Sequence, residues 1–164
     1  MYAVIVIVVY SWTILWFFWK LPSWLFYLNA SEILTLFTYI LATNLLESLA
    51  VLSAPLFLSL VLPKKWFRDV FVARGASLAI LGLAYMIYLA NQFQTKEDYP
   101  SISLKLWSVS LAVGLIMLGT FFAGRISVVR KILEVFSDRA TIFLYISIPL
   151  SLISLLVVLD RLIF

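Results

Sequence analysis

Apolar residues run through this chain in long blocks separated by short polar stretches, and the block lengths predict five helices. The first block, residues 1–19, is apolar on nearly every side. At about 1.5 Å per residue it would reach about 28 Å, close to the roughly 30 Å of a bilayer's hydrocarbon core. It closes on Trp16, Phe17, Phe18 and Trp19, with Lys20, Pro22, Trp24, Phe26 and Tyr27 following. Rings with one polar edge settle at headgroup level, so this cluster marks an interface. The second block, 30–62, opens with Asn29 and Glu32 spaced as N-cap and N3, and Pro63 closes it. At about 50 Å it is too long to cross upright, yet neither half reaches the roughly 17 residues a crossing needs. A single tilted helix kinked near Pro55 is expected.

The third, fourth and fifth blocks cover residues 71–93, 102–123 and 140–159. Asp98, Tyr99 and Pro100 supply a turn and a helix start; Ser137 or Asp138 is placed to cap the fifth block, which contains Pro149. Between blocks four and five, Val128, Val129, Ile132, Leu133 and Phe136 share one helical face, and Arg130, Lys131, Glu134 and Asp138 share the other. This stretch, 125–139, reads as an amphipathic helix lying at the membrane surface, rather than an extension of block four into water. The expected fold is therefore all-α, a single polytopic membrane domain of five transmembrane helices. Four spans, with the first block lying along the interface, fit less well because that block has no polar face.

Composition agrees with lipid as the main solvent. Apolar residues make up 65% and charged residues 12%, against roughly 45–50% and 25% in soluble domains. The chain has no Cys and no His. Disulfides and thiolate chemistry are thereby excluded, and zinc, haem and His-based acid–base chemistry are disfavoured. No metal site or cofactor is expected, and no basic run interleaved with aromatics suggests nucleic acid. With no basic residues before the first block and no small-residue cleavage pattern after it, a retained helix is expected rather than a removed signal. The lack of a polar lead-in leaves an alternative start open.

The net charge of +4 matters through its placement. Lys64, Lys65, Arg68, Arg74, Arg125, Arg130, Lys131 and Arg139 fall on one side of the five spans, whereas Lys20, Lys96, Lys105 and Arg161 fall on the other. The positive-inside rule then puts the N-terminus in the cytoplasm and the C-terminus outside, in a cell membrane. Lys64, Lys65, Arg68, Arg125, Arg130 and Lys131 are the expected contacts for anionic headgroups on the cytoplasmic side.

Glu47 is the ionisable residue deep within a span, about midway between Glu32 and Lys64. Ionising it there unpaired would cost about 2.5 kcal/mol or more, and no Lys or Arg lies at similar depth. It is expected as the neutral acid, facing protein, with Asn44 and Thr43 on its own helix and Tyr85 and Tyr88 on the third as hydrogen-bonding partners. Ala50 and Ala54 continue its face. Glu47 is either a packing group or a proton or cation site. Its isolation from other acids favours packing. Small residues also stripe the later blocks: Gly75, Ala79 and Gly82; Ser108, Ala112, Gly119 and Ala123; Ser147, Ser151 and Ser154. Such stripes allow close helix approach in lipid. No base accompanies the serines, so a serine nucleophile is not expected. On the basic side, Arg74-Gly75 alone hints at phosphate handling.

These features favour a small accessory or structural subunit of a membrane complex, without enzymatic activity, packing against other membrane subunits or against itself. An oligomeric transporter or channel using Glu47 ranks second. A lipid-modifying enzyme ranks third, since no nucleophile–base pair or metal set supports it.

Overall fold

In lipid the backbone must satisfy its own hydrogen bonds, and an α-helix does so within a single segment. The computed structural model describes residues 1–62, 70–95 and 102–163, in which every long element is an α-helix and no strand occurs. The helices are α1 (Tyr2–Trp24), α2 (Ala30–Val61), α3 (Phe71–Thr95), α4 (Ile102–Arg125) and α5 (Ser127–Ile163). All five are long and apolar enough to cross a membrane, as a multi-pass membrane protein requires.

Of the expected Asn29–Glu32 pair, the Glu32 half is present. The Glu32 carboxylate reaches back to accept from the Asn29 N–H at 2.7 Å, and the Glu32 N–H donates to the Asn29 carbonyl at 3.0 Å. α1 runs one turn past the expected end, through Pro22 to Trp24. Proline removes one intrahelical donor and leaves the Phe18 carbonyl without its helical partner. Trp19, Phe26 and Tyr27, the expected interfacial rings, are more than three-quarters exposed. α2 stays helical through Pro55, whose ring is fully buried.

One expectation is corrected. The amphipathic stretch is not a separate element: it forms the first turns of α5, which continues unbroken through Ser137, Asp138 and Arg139. No Gly or Pro lies between Ser127 and Ile148 to stop the helix. The break comes earlier, at Ile126, and even there Ile126 N–H reaches the Phe122 carbonyl at 3.0 Å. At about 1.5 Å per residue α5 is about 55 Å long. Its charged first turns therefore extend beyond what an upright crossing needs. Val128, Ile132 and Phe136 are exposed on those turns.

The chain forms two compact units, and α2 and α5 contribute to both. The first comprises Tyr2–Ala54 and Asp138–Phe164. Here α1 is buried all round at its start, where Ala3, Val4, Ile5 and Val6 are each at most 3% exposed. Its few polar side chains are the ones that find partners. Tyr2 Oη meets Ser48 Oγ at 3.1 Å, Asn44 Nδ2 donates to Thr13 Oγ1 at 2.6 Å, and Phe17 packs on Phe37. These pairings run α1 and α2 antiparallel. Tyr10 Oη meets Ser151 Oγ at 2.6 Å, and the Tyr10 ring sets its edge against Phe143. Arg161 donates to Thr35 Oγ1 at 2.9 Å, which ties the end of α5 to the start of α2. The serine stripe of α5 is buried as expected, with Ser147 and Ser154 bonded to their own helix.

The second unit comprises Met1 and Pro55–Ser137. Its centre is the antiparallel contact of α3 with α4. Leu81 lies over Gly119, where a Cβ would meet its Cδ1 at 2.7 Å, and the Arg74 side chain lies over Gly124. Met1 lies over Gly75 in the same manner. Absent side chains thus set the helix spacing. Ala73, Ala76 and Ala79 complete the buried face of α3, but Ser108 on α4 is exposed, so its stripe holds only toward its C-terminal end.

Replacing Tyr10 by Phe removes one buried hydrogen bond while keeping the ring. The expected loss is about 0.6 to 2 kcal/mol, read as reversible unfolding in detergent. Tyr10→Ala, which also empties the ring's site, should cost about 3 kcal/mol or more.

Candidate functional site

A helix turns about 100° per residue, so the face that α2 buries dictates which of its polar groups are left outside. Leu41, Ala42, Asn44, Leu45 and Ser48 are buried. Asn44 is spent inside the first unit, donating to Thr13 Oγ1, which in turn donates to the Val9 and Tyr10 carbonyls. Thr43 and Glu47 lie on the exposed side, with Ala50 and Ala54 continuing the same face. The Thr43 hydroxyl bonds its own helix at the Tyr39 carbonyl, 2.9 Å away. Among the described residues Glu47 makes no hydrogen bond or ion pair.

The expected partners of Glu47 are therefore not gathered on its own helix. Asn44, turned about 60° from Glu47 by the helical repeat, serves α1 instead. Tyr85 and Tyr88 belong to α3 in the second unit. The Tyr85 hydroxyl is buried without a hydrogen-bond partner, and Tyr88 is 57% exposed. Within the first unit Glu47 lies on the exposed side of α2.

Of the expected headgroup contacts, Lys64, Lys65 and Arg68 lie outside the described residues. Arg130 and Lys131 are exposed on the first turns of α5, and Arg130 pairs with Glu134 at 2.9 Å. Arg125, exposed, ends α4 with its guanidinium 5.8 Å from the centre of the Phe121 ring.

That ring holds a second cation. The Arg74 guanidinium also lies 5.8 Å from the Phe121 centroid. Arg74 is only 9% exposed, and its Nε and Nη1 are buried with no hydrogen-bond partner. A guanidinium does not give up its proton in a protein, so burial leaves a charge to be balanced. Cation–π attraction supplies about 0.5 to 2 kcal/mol, less than the several kcal/mol that burying an ion costs. Glu134, the one carboxylate among the described residues of this unit, is engaged by Arg130.

Arg74-Gly75 stands out in the sequence as a hint of phosphate handling, but counting basic residues by side does not show that Arg74 is buried. Its neighbours carry the missed signal. Ala73, Gly75 and Ala76 surround it on α3, and Gly124 faces it on α4. An arginine set among such small residues is covered by the helix that they let approach.

Among the described residues, no three His, Cys, Asp or Glu side chains gather as metal ligands. No family model, no curated protein and no solved structure matches the chain.

A Cβ on Gly124 would occupy the place of the Arg74 side chain. Gly124→Val should destabilise the protein by about 1 to 3 kcal/mol. Adding Arg74→Ala should restore about 1 kcal/mol or more of that loss. Additive losses in a double-mutant cycle of unfolding free energies would refute the contact.

Proposed function

We propose that this chain is a small non-enzymatic subunit of a larger membrane assembly, docking through the outward face of α2 around Glu47. The observation that carries this reading is the exposure of Glu47, Thr43, Ala50 and Ala54 on an apolar helix of 32 residues. Against hydrocarbon an ionised carboxylate costs about 2.5 kcal/mol or more. Against another helix the same face is favourable, because alanines permit close approach and the carboxyl finds a donor. A partner helix with a hydroxyl, amide or cation at the depth of Glu47 is the fitting complement. The exposed apolar side chains on the first turns of α5 suit a second contact, with lipid headgroup regions or with the same partner. In this proposal the basic ends of α3 and α4 and the start of α5 face the cytoplasm of a cell membrane. The N-terminus is then inside and the C-terminus outside.

Solubilised in mild detergent from its native membrane, the protein should co-migrate with a stoichiometric partner on native gels. Glu47→Leu should release it from that partner while leaving its own thermal unfolding within about 0.5 kcal/mol, as for other exposed positions. Isolation of the wild type as a monomer would overturn the assignment.

Glu47 also supports a second reading, an oligomer of this chain that conducts protons or cations. Its carboxylate is exposed and unpartnered, so copies could line a shared path. Here Glu47→Gln, which keeps the shape and removes the charge, should abolish proton or cation flux in liposomes. Flux that survives with its pH dependence unchanged would exclude Glu47 as the coupling site.

A further inference from the structure

We propose that Arg74 and Arg125, set against the Phe121 ring where α3 begins and α4 ends, bind a phosphate-bearing anion. Each guanidinium lies 5.8 Å from the ring centre, so the two are no further apart than twice that distance. Two like charges brought to one neutral ring repel each other, and an anion shared between them reverses the sign of that interaction. Among its described residues the unit has one carboxylate, Glu134, and Arg130 holds it at 2.9 Å. Arg74 carries the demand most sharply, because its Nε and Nη1 are buried and unpartnered. A planar fork of donors with permanent charge matches phosphate oxygens in bidentate geometry, which a single ammonium does not.

The setting selects the ligand class further. Arg74 is in the first turn of α3 and Arg125 is the last residue of α4, so both stand at the ends of apolar helices. In a bilayer those ends meet the headgroup layer, where phosphate is abundant. Gly124 completes the arrangement, since its missing side chain gives the Arg74 stem its path along α4. The ligand chemistry is thus a phosphate mono- or diester anion, carried either by an anionic phospholipid or by a soluble phosphate compound. This site is independent of the Glu47 face and of any partner that docks there.

The test uses the full chain purified in a neutral detergent at fixed ionic strength. Its thermal unfolding is followed while dihexanoyl phosphatidylglycerol, dihexanoyl phosphatidylcholine or inorganic phosphate is titrated. The wild type should be stabilised saturably by phosphatidylglycerol, at about one-tenth or less of the phosphatidylcholine concentration needed for the same shift. Arg74→Gln and Arg125→Gln should each weaken that binding about ten-fold, in line with the loss of a charge-assisted hydrogen-bond pair. Arg125 is exposed, so its variant keeps the test valid even if Arg74→Gln fails to fold. Arg139→Gln removes an equal charge from an exposed position on α5 and should leave the midpoint within about two-fold, as a screened surface charge does. Stabilisation by phosphatidylglycerol alone assigns the site to a lipid headgroup. An equal response to inorganic phosphate, lost in the same two variants, assigns it to a soluble ligand. No saturable stabilisation by any of the three, or equal weakening by Arg125→Gln and Arg139→Gln, overturns the site.

Discussion

An amide N–H facing hydrocarbon has no water to turn to, and a carbonyl is no better placed, so each residue of a crossing segment must bond within its own helix. The continuity of α2 through Pro55 and of α5 through Pro149 follows from that requirement, because ending a helix there would expose several unpaired groups rather than one. The same requirement leaves the chain little with which to specify how its helices pack. Burying one apolar surface against another gains little when lipid is the alternative. Specificity then falls to the few groups that lipid does not satisfy and to the places where side chains are missing.

Both devices are visible, each in its own unit. In the first, α1 places Tyr2, Tyr10 and Thr13 where Ser48, Ser151 and Asn44 receive them, three directional contacts on a helix otherwise made of aliphatic and aromatic bulk. In the second, glycines do the positioning: Gly119 receives Leu81 and Gly124 receives Arg74. Two charges fit neither pattern. Glu47 is left outside by the helical period of α2, and Arg74 is covered with its Nε and Nη1 unpartnered. Each is costly for the isolated chain, and each gains a reason once something outside the chain is present.

Much of the architecture was legible in residue order. Block lengths give the five helices, because a crossing has a fixed length. The Asn29–Glu32 pair gives the start of α2, because capping is local. What was not legible depends on rotation about helix axes. Glu47 was expected inside because the cost of its charge is a property of depth, whereas its direction is set by which neighbours α1 presents to α2. Sequence spacing grouped Asn44 with Glu47, yet Thr13, thirty-one residues away, decides where Asn44 points. Arg74 was counted by side, and its burial follows only from the small residues on two helices that converge on it. The apolar face of residues 125–139 argues for a separate helix at the surface, with a new cap at Ser137 or Asp138, whereas α5 runs on without a break. Periodicity describes a face, however, and only a breaker describes an end.

The Tyr10–Ser151 contact has a temporal side. A membrane protein is made from its N-terminus onward, and the partners of Tyr2, Thr13 and Phe17 all lie on α2, so that hairpin can close as soon as α2 is made. Ser151 follows Tyr10 by 141 residues, which at about 5 to 20 residues per second is a delay of roughly 7 to 28 s. Throughout that interval one of the most deeply buried hydroxyls of the finished protein is without its partner. A helix made much later is therefore the one that completes α1, and a chain stalled before Ser151 would leave an early helix with an unmet polar group.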